Sequence, residues 1–206
     1  MLLPDYPIAT ERLRLRPFGP DDLDALVAIH ADPEVVRYLY WDVRDRDELR
    51  GVLEEKATRS VLQRPGDALN IAAVLADTGE LVGDMTLFWH SEEHRSGEVG
   101  YIFNPAYTGR GYATEAARAL LRLGFEELGL HRITGRLDGR NTASARVLER
   151  LGMRREAHFV ENERVKGEWT DEVVYAMLDG EWRAAQAATT ASRASAGSAS
   201  ASNRSA

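Results

Sequence analysis

The stretch Pro105-Ala106-Tyr107-Thr108-Gly109-Arg110-Gly111-Tyr112-Ala113-Thr114-Glu115-Ala116 is the most informative part of the chain. It follows an apolar run, Val99-Gly100-Tyr101-Ile102-Phe103, that is typical of a buried strand. It leads into a segment, Glu115 to about Leu128, with the apolar spacing of a helix. A strand, a glycine-containing loop and a helix start direct several backbone N–H groups at one point, where the helix dipole adds about half a positive charge. The sequence therefore predicts a phosphate-binding loop.

The residue pattern of the loop does not fit a nucleoside triphosphate site and fits a dinucleotide site poorly. The Gly-Lys-Ser/Thr ending of a nucleoside triphosphate site is absent from the loop. Gly109 and Gly111 match the start of a dinucleotide fingerprint, but Thr114 stands where the third glycine belongs. A plain turn followed by a helix start is an alternative that two glycines alone leave open.

The longer string Gly-Arg-Gly-Tyr-Ala-Thr-Glu-Ala, after the strand start Glu98-Val99-Gly100-Tyr101, resembles the GNAT acyltransferases. Within them it resembles the ribosomal-protein N-terminal acetyltransferase-like (RimJ/RimL-type) branch. In that family the loop holds the pyrophosphate of acyl-coenzyme A, in the pattern Arg/Gln-x-x-Gly-x-Gly/Ala. The resemblance implies that the cofactor-binding residues of the loop are Thr108, Gly109, Arg110, Gly111, Tyr112, Ala113 and Thr114. Thr108 departs from the pattern, and we expect little cost because backbone N–H groups make most phosphate contacts.

Composition indicates one ordinary globular domain. The chain has 206 residues, of which 44% are hydrophobic and 29% charged, enough to form a sizeable core. A net charge of −7 carries no signature of nucleic-acid binding, and it mildly favours a cationic substrate such as an amine. The absence of cysteine excludes disulfides, thiolate metal sites and an acyl-cysteine intermediate.

Targeting and metal signals are also absent from the sequence. No run approaches the roughly 18 apolar residues of a membrane helix, and the N-terminus does not have the pattern of a signal peptide. The histidines have no metal-site spacing. We therefore expect a cytoplasmic protein without a metal, a membrane or a nucleic-acid partner, and we include a homodimer among the expectations.

The order of predicted elements indicates a mixed α/β chain. We expect a mostly antiparallel central sheet flanked by helices, which is the GNAT acyl-CoA N-acyltransferase fold that the resemblance implies. The predicted strands cover residues 10–16, 69–75, 81–89, 98–103, 132–137, 157–165 and 169–178, and the main predicted helices follow residue 21 and cover residues 45–62, 115–128 and 141–152.

The resemblance extends from Ile8 to about Trp182 and predicts a GNAT domain over residues 1–183. Residues 184–206 are mostly Ala, Ser and Thr and cannot form a core, so we predict a disordered tail with helix at its first alanines only.

Acyl transfer from a thioester to an amine needs a group that removes the amine proton. An α-amine has a pKa of about 8 and a lysine one of about 10.4, so most substrate arrives charged, and a carboxylate can accept the proton directly or through water. The family often places acidic groups where Glu98 lies. The spacing of Glu163 from Ser144 and Gly152 matches the glutamate proposed as base in RimL-type enzymes. An exposed strand charge is the alternative for each.

The segment Asn141-Thr142-Ala143-Ser144 has a local interpretation as a helix N-cap. The resemblance adds that Asn141 hydrogen-bonds the pantetheine arm of coenzyme A. Many GNAT enzymes carry a tyrosine seven residues later as the acid for the sulfur, and Leu148 stands there in this chain. Ser144 remains as the group near the sulfur, and Arg146 is a candidate for contact with the adenosine phosphates.

Two further groups of residues are candidates for ligand binding. Backbone groups of Tyr101, Ile102 and Phe103 would bind the pantetheine if their strand edge is open, and a fully paired strand is the alternative. The candidates for the acceptor pocket are Tyr38, Tyr40, Trp41, Asp84 and Trp89. Simple core positions are the alternative for Tyr40, Trp41 and Trp89.

The sequence thus predicts an acyl-CoA-dependent N-acyltransferase that moves an acetyl group directly from acetyl-CoA to a primary amine of a protein N-terminus or a small molecule. A non-catalytic acyl-CoA sensor, an acyltransferase for another acyl group such as succinyl, and a dinucleotide-binding enzyme are the alternatives. A dinucleotide site would need an acidic ribose-binding residue about 20 residues on, for which Asp138 is the nearest candidate. The missing third glycine and the absence of repeated βαβ units weigh against this alternative.

Overall fold

The structure, a computed structural model, describes the backbone of residues 1–202 and the side chains of residues 1–188, 190 and 191. The strands are β1 Ile8–Ala9, β2 Leu13–Arg16, β3 Ala68–Leu75, β4 Leu81–Ser91, β5 Ser96–Phe103, β6 Arg132–Asp138, β7 Arg154–Val165 and β8 Glu168–Leu178. The helices are α1 Leu23–His30, α2 Pro33–Val36, α3 Arg46–Thr58, α4 Tyr112–Arg122, α5 Thr142–Arg150 and α6 Asp179–Ser202.

The strands form one sheet in the order β1-β2-β3-β4-β5-β6-β8-β7. Every neighbouring pair is antiparallel except β5 and β6, which are parallel. Antiparallel neighbours can be joined by short turns, whereas the parallel pair needs the crossover that α4 provides. The predicted mixed α/β class with a mostly antiparallel sheet and flanking helices is confirmed.

The sheet has an apolar layer on each face, because side chains alternate between the faces along each strand. On one face α4 and α5 cover the larger core, which includes Met85, Leu120 and Leu148. On the other face α1 and α3 cover the smaller core, which includes Leu26 and Leu49. The second layer stops short of β6, β7 and β8, whose side chains on that face include charged residues.

Local chemistry explains several element boundaries. The side chain of Asp45 accepts hydrogen bonds from the amides of Asp47 and Glu48 and so caps α3. Lys166 (φ 51°) and Gly167 (φ 85°) form the predicted turn between β7 and β8, since a two-residue hairpin turn of this kind needs positive φ at both positions.

Some predicted boundaries were wrong. Helix α3 ends at Thr58 rather than near Leu62, because Leu62 forms a β-bridge with Leu2 instead. Helix α4 begins at Tyr112, three residues before Glu115, because Gly111 adopts a left-handed conformation at its N-cap. Residues 123–127 continue α4 as a π-helical turn.

Helix α6 follows β8 directly and runs from Asp179 to Ser202. Its first turn is attached to the domain by Trp182, which is buried, stacks on Phe125 and donates from Nε1 to Glu126 at 2.8 Å. The helix extends well past the first alanines of the predicted tail. Residues 203–206 lie outside the described residues, and disorder over 184–206 stays a prediction.

Candidate acyl-CoA and acceptor site

The strands β5 and β6 separate part-way along their length and leave an open edge. Their pairing begins at Ser96 with Arg132 and ends at Glu98 with Thr134. Beyond that point β5 continues to Phe103 paired with β4, and β6 continues to Asp138 paired with β8. We call the resulting gap, between residues 99–103 and residues 135–138, the fork. Unpaired N–H and C=O groups along it can bind an extended ligand that carries amides.

The predicted phosphate loop lies at the end of β5. A short 3-10 turn, Pro105–Tyr107, leads into the loop, and Gly109 (φ 76°) and Gly111 (φ 83°) both have left-handed backbone conformations. Residues other than glycine rarely adopt such backbone angles. Gly111 is the N-cap of α4, so the first amides of that helix have no intrahelical acceptor and face outward at its positive end. This arrangement is suited to a pyrophosphate.

The first turn of α4 is held by contacts with the start of the chain. Glu115 accepts a hydrogen bond of 2.6 Å from the Thr10 hydroxyl and one of 2.7 Å from the Arg12 backbone N–H, and it forms an ion pair with the Arg12 guanidinium. Arg12 also donates to the carbonyl of Arg110 in the loop at 2.8 Å. Partial burial acts against the charged carboxylate, but these hydrogen bonds outweigh it and lower the pKa of Glu115. The loop geometry therefore depends on a partner about a hundred residues away.

The start of α5 lies against β5. Asn141 caps the helix by accepting from the Ser144 backbone N–H at 3.0 Å, which leaves its amide NH₂ available for a ligand. The Tyr101 hydroxyl donates to the Ser144 carbonyl oxygen at 2.9 Å and ties the helix to the strand. Burial raises the pKa of Tyr101 well above its ordinary value. Arg146 is exposed on the outer face of α5.

The two candidate bases lie around a single guanidinium on the face of the sheet opposite α4. Glu98 approaches His90 Nε2 at 3.3 Å, and burial raises the pKa of Glu98, although the hydrogen bond to His90 and the charge of Arg136 act in the opposite direction. Arg136 forms an ion pair with Glu172, and its Nη2 lies 3.9 Å from Glu163 Oε1. The structure therefore brings Glu98 and Glu163 into one charged cluster beside the end of the β5–β6 pairing.

Residues 37–45, which we call the strap, connect α2 with α3 and contact this cluster. Tyr40 donates from its hydroxyl to Glu163 Oε2 at 2.6 Å, and Tyr38 lies under the guanidinium of Arg140. Lys166 at the hairpin turn donates to the carbonyl of Val36 at 2.7 Å, just before the strap. Burial and the bond to Glu163 raise the pKa of Tyr40. The strap and the β7–β8 hairpin therefore contact each other beside the charged cluster, which is the candidate acceptor side of the site.

Residues 12–154 match the family described as the acetyltransferase (GNAT) domain. The chain belongs to this GNAT acetyltransferase family. It is an N-acetyltransferase, and the family uses acetyl-CoA as co-substrate.

Two relatives match this GNAT enzyme over most of its length, and a third matches a shorter part of it. The chain is 37% identical to the uncharacterized N-acetyltransferase YnaD of Bacillus subtilis (strain 168), over 85% of this chain and 98% of that protein. A crystal structure of a GNAT-family acetyltransferase from Bacillus anthracis matches with a TM-score of 0.77 at 35% identity, over 84% of this chain and 99% of the other. YdaF of Bacillus subtilis (strain 168), named as a candidate ribosomal N-acetyltransferase, is 34% identical over 56% of this chain and 63% of that protein.

Not all predicted acceptor residues lie at the cluster of this GNAT enzyme. Asp84 is buried beneath α1 and α3, where it accepts from His30 at 3.0 Å and pairs with Lys56 at 2.9 Å. Burial opposes its charge, but these two partners lower the pKa of Asp84 overall. Trp89 is buried in the core beneath α4, and Trp41 of the strap stacks on His30. The structure thus brings Tyr40 to the cluster but neither Asp84 nor Trp89.

Sequence reasoning missed Arg136, Glu172 and the contacts of Glu115. Arg136 alternates with Ile133, Gly135 and Leu137 along β6, and that pattern could have marked it as facing the polar side of the sheet, whereas Glu172 follows Asp171 and has no such clear pattern. The register of Arg136 opposite Val174 then places it diagonally to Glu172. Nothing in the sequence indicates the pairing of Glu115 with Thr10 and Arg12.

Neither a metal-binding cluster nor a membrane-spanning helix is present among the described residues. Among those residues no group of three or more His, Cys, Asp or Glu side chains could hold a metal ion. No helix within that part of the chain has the length and apolar character needed to cross a membrane.

Proposed function

We propose that this GNAT enzyme transfers an acetyl group from acetyl-CoA to a primary amine of a protein N-terminus or a small molecule, by direct transfer within a ternary complex. The observation that carries the proposal is the position of the fork. It runs from the end of the β5–β6 pairing, where Glu98 and Arg136 lie, to the glycine loop at Gly109 and Gly111. A phosphate-binding end and a carboxylate-bearing end are thus joined by one open strand edge.

The donor would lie along the fork. The amides at the start of α4 bind its pyrophosphate, and backbone groups of Tyr101, Ile102 and Phe103 pair with the amides of the pantetheine. Asn141 donates from its free NH₂ to the same arm, and Arg146 and Arg110 lie on the side of the phosphates. The open edge favours this role over the fully paired strand.

The reaction forms a C–N bond and breaks a C–S bond. The neutral amine attacks the thioester carbonyl, and a backbone N–H near Ile102 or Phe103 stabilises the oxyanion of the tetrahedral intermediate. Glu98 or Glu163 accepts the proton that the ammonium loses. The raised pKa of Glu98 and the partial exposure of the Glu163 side chain each support a role as base.

The thiolate leaves as the intermediate collapses, and it takes up the second proton that the attacking nitrogen gives up as the amide forms. Leu148 is buried in the core and cannot supply one. Ser144 is the remaining hydroxyl at the start of α5, where it can donate a hydrogen bond to the sulfur or relay a proton from water. Its main chain is fixed by Tyr101 and Asn141, which supports a positioned role.

The RimJ/RimL-type branch is supported by the local motifs and by the partial match with YdaF. A protein N-terminus is therefore one acceptor in the proposal, and a small amine is the other. We further propose a cytoplasmic enzyme, with a homodimer as the assembly to test. A non-catalytic acyl-CoA sensor is the second candidate, and the retention of both Glu98 and Glu163 beside the fork argues against it.

A panel of amines with acetyl-CoA and succinyl-CoA, with thiol release as the readout, tests the proposal. We expect thiol release with acetyl-CoA that depends on an amine. Turnover with succinyl-CoA alone would show that the enzyme transfers a succinyl group rather than an acetyl group. Tight binding of acetyl-CoA without turnover of any amine would favour the sensor.

A further inference from the structure

Arg136 occupies a special position on β6. It lies two residues beyond Thr134, the last residue of β6 that pairs with β5, and on the same face as Glu98. Its Nε and Nη2 both contact Oε1 of Glu172, and the same Nη2 lies 3.9 Å from Glu163 Oε1. One guanidinium therefore contacts Glu172, faces Glu163 and interacts through its charge with Glu98 at the end of the fork.

Glu172 is a buried ion-pair partner of Arg136 rather than a surface charge. Its side chain is 4% exposed, and its second oxygen, Oε2, accepts from the Asn162 amide at 2.9 Å. Both oxygens are occupied, so Glu172 is unsuited to receive a proton from a substrate. A buried carboxylate of this kind requires a charged partner, and here that partner is Arg136.

We propose that Arg136 and Glu172 are positioning residues. As a pair of opposite charges, they set the protonation of Glu98 and hold the carboxylate of Glu163 in place for proton transfer. The inference rests on the proposed acetyl transfer, because it concerns the two carboxylates that serve as candidate bases. Neither Arg136 nor Glu172 needs to touch the acceptor.

The charges around Glu98 come from several strands. His90 on β4 and Arg136 on β6 favour its carboxylate, whereas Glu172 on β8 opposes it, and burial raises the pKa of Glu98 above its ordinary value. Glu163 on β7 faces the same guanidinium and accepts from Tyr40 of the strap. Removal of the Arg136 charge should therefore raise the pKa of Glu98, and removal of the Glu172 charge should lower it.

The test compares Arg136→Gln with Glu172→Gln. We expect the acid limb of the pH profile of kcat/KM for acetyl transfer to move by about half to one pH unit, upward in Arg136→Gln and downward in Glu172→Gln. Arg136→Lys keeps the charge and should leave the limb near its wild-type position. Arg132→Gln is the matched control on the same strand, because Arg132 pairs with Glu156 instead.

The pKa of Glu98 can also be followed without turnover. Carbon-13 NMR titration of its carboxyl, with the signal assigned by its loss in Glu98→Gln, measures this pKa. We expect the pKa to rise in Arg136→Gln and to fall in Glu172→Gln. The inference would be overturned if the pKa moved in the same direction in both variants. It would also be overturned if both variants lost activity uniformly across the pH range with no change in pKa. If the wild-type protein transfers no acetyl group, the proposed function fails, and the NMR titration still decides whether this pair controls Glu98.

Discussion

The hydroxyl of Tyr40 donates a hydrogen bond of 2.6 Å to the carboxylate of Glu163. This contact joins the strap to the β7–β8 hairpin beside the charged cluster. The second oxygen of Glu163 faces Arg136. If Glu163 is the base, we expect an incoming amine to displace Tyr40 or to approach between Glu163 and the guanidinium.

Glu163→Gln tests whether this carboxylate takes the amine proton. The substitution keeps the size of the side chain and removes its basicity. If Glu163 is the base, turnover of an identified acceptor should fall more at low pH than at high pH, because more amine is already neutral at high pH. Steady-state rates across the pH range give the answer. A profile lowered by one constant factor would count against Glu163, and the same measurement on Glu98→Gln would then examine the other candidate.

Glu115→Gln tests the anchor of the phosphate loop. Because the pKa of Glu115 is lowered in the folded protein, its carboxylate stabilises the fold above its unfolded pKa of about 4.3. This contribution is lost as the pH falls through the lower folded value. We expect the substitution to cost about 1–2 kcal/mol in the free energy of unfolding at pH 7 and much less near pH 3.

Urea denaturation at several pH values measures that difference. Glu127→Gln is the control, since Glu127 forms an exposed ion pair with Arg122 at 2.7 Å, which contributes at most about 1 kcal/mol. An equal cost for Glu115→Gln at both pH values would show that its contacts do not depend on ionisation.

Tyr101→Phe tests the link between β5 and the start of α5. Loss of the hydroxyl leaves the Ser144 carbonyl without that donor and should cost about 1–2 kcal/mol of stability. Since the same contact fixes the helix beside the fork, the KM for acetyl-CoA should rise as well. Tyr175→Phe is the matched control, because it removes a similar bond of 2.9 Å to Glu149 outside the fork. Equal KM values in both variants would contradict the link.

The sequence predicted features whose cause is local. Gly109 and Gly111 have the positive φ angles that a tight loop before a helix requires, and the Lys166-Gly167 turn lies where its residue types indicate. The fold class also followed from the order of elements. These predictions succeeded because neighbouring residues in the chain determine turns, caps and periodicity.

Features that depend on distant residues could not be predicted in the same way. The pairing of Glu115 with Arg12 and the ion pair of Arg136 with Glu172 arise only after the strands have taken their register. The open edge beyond Glu98 depends on where two strands separate, and apolar residues on β5 fit an open or a paired edge equally well.

The most direct test of the central claim is calorimetric titration of acetyl-CoA into the wild-type protein and Gly111→Glu. The substitution puts a side chain at φ 83° and a negative charge at the start of α4, where the pyrophosphate is expected to bind. Gly129→Glu is the control, since Gly129 has a similar φ of 74° in a different loop. The account predicts binding to the wild-type protein and to the control, with affinity at least tenfold weaker in Gly111→Glu. Unchanged affinity in Gly111→Glu, or no binding to the wild-type protein, would contradict it.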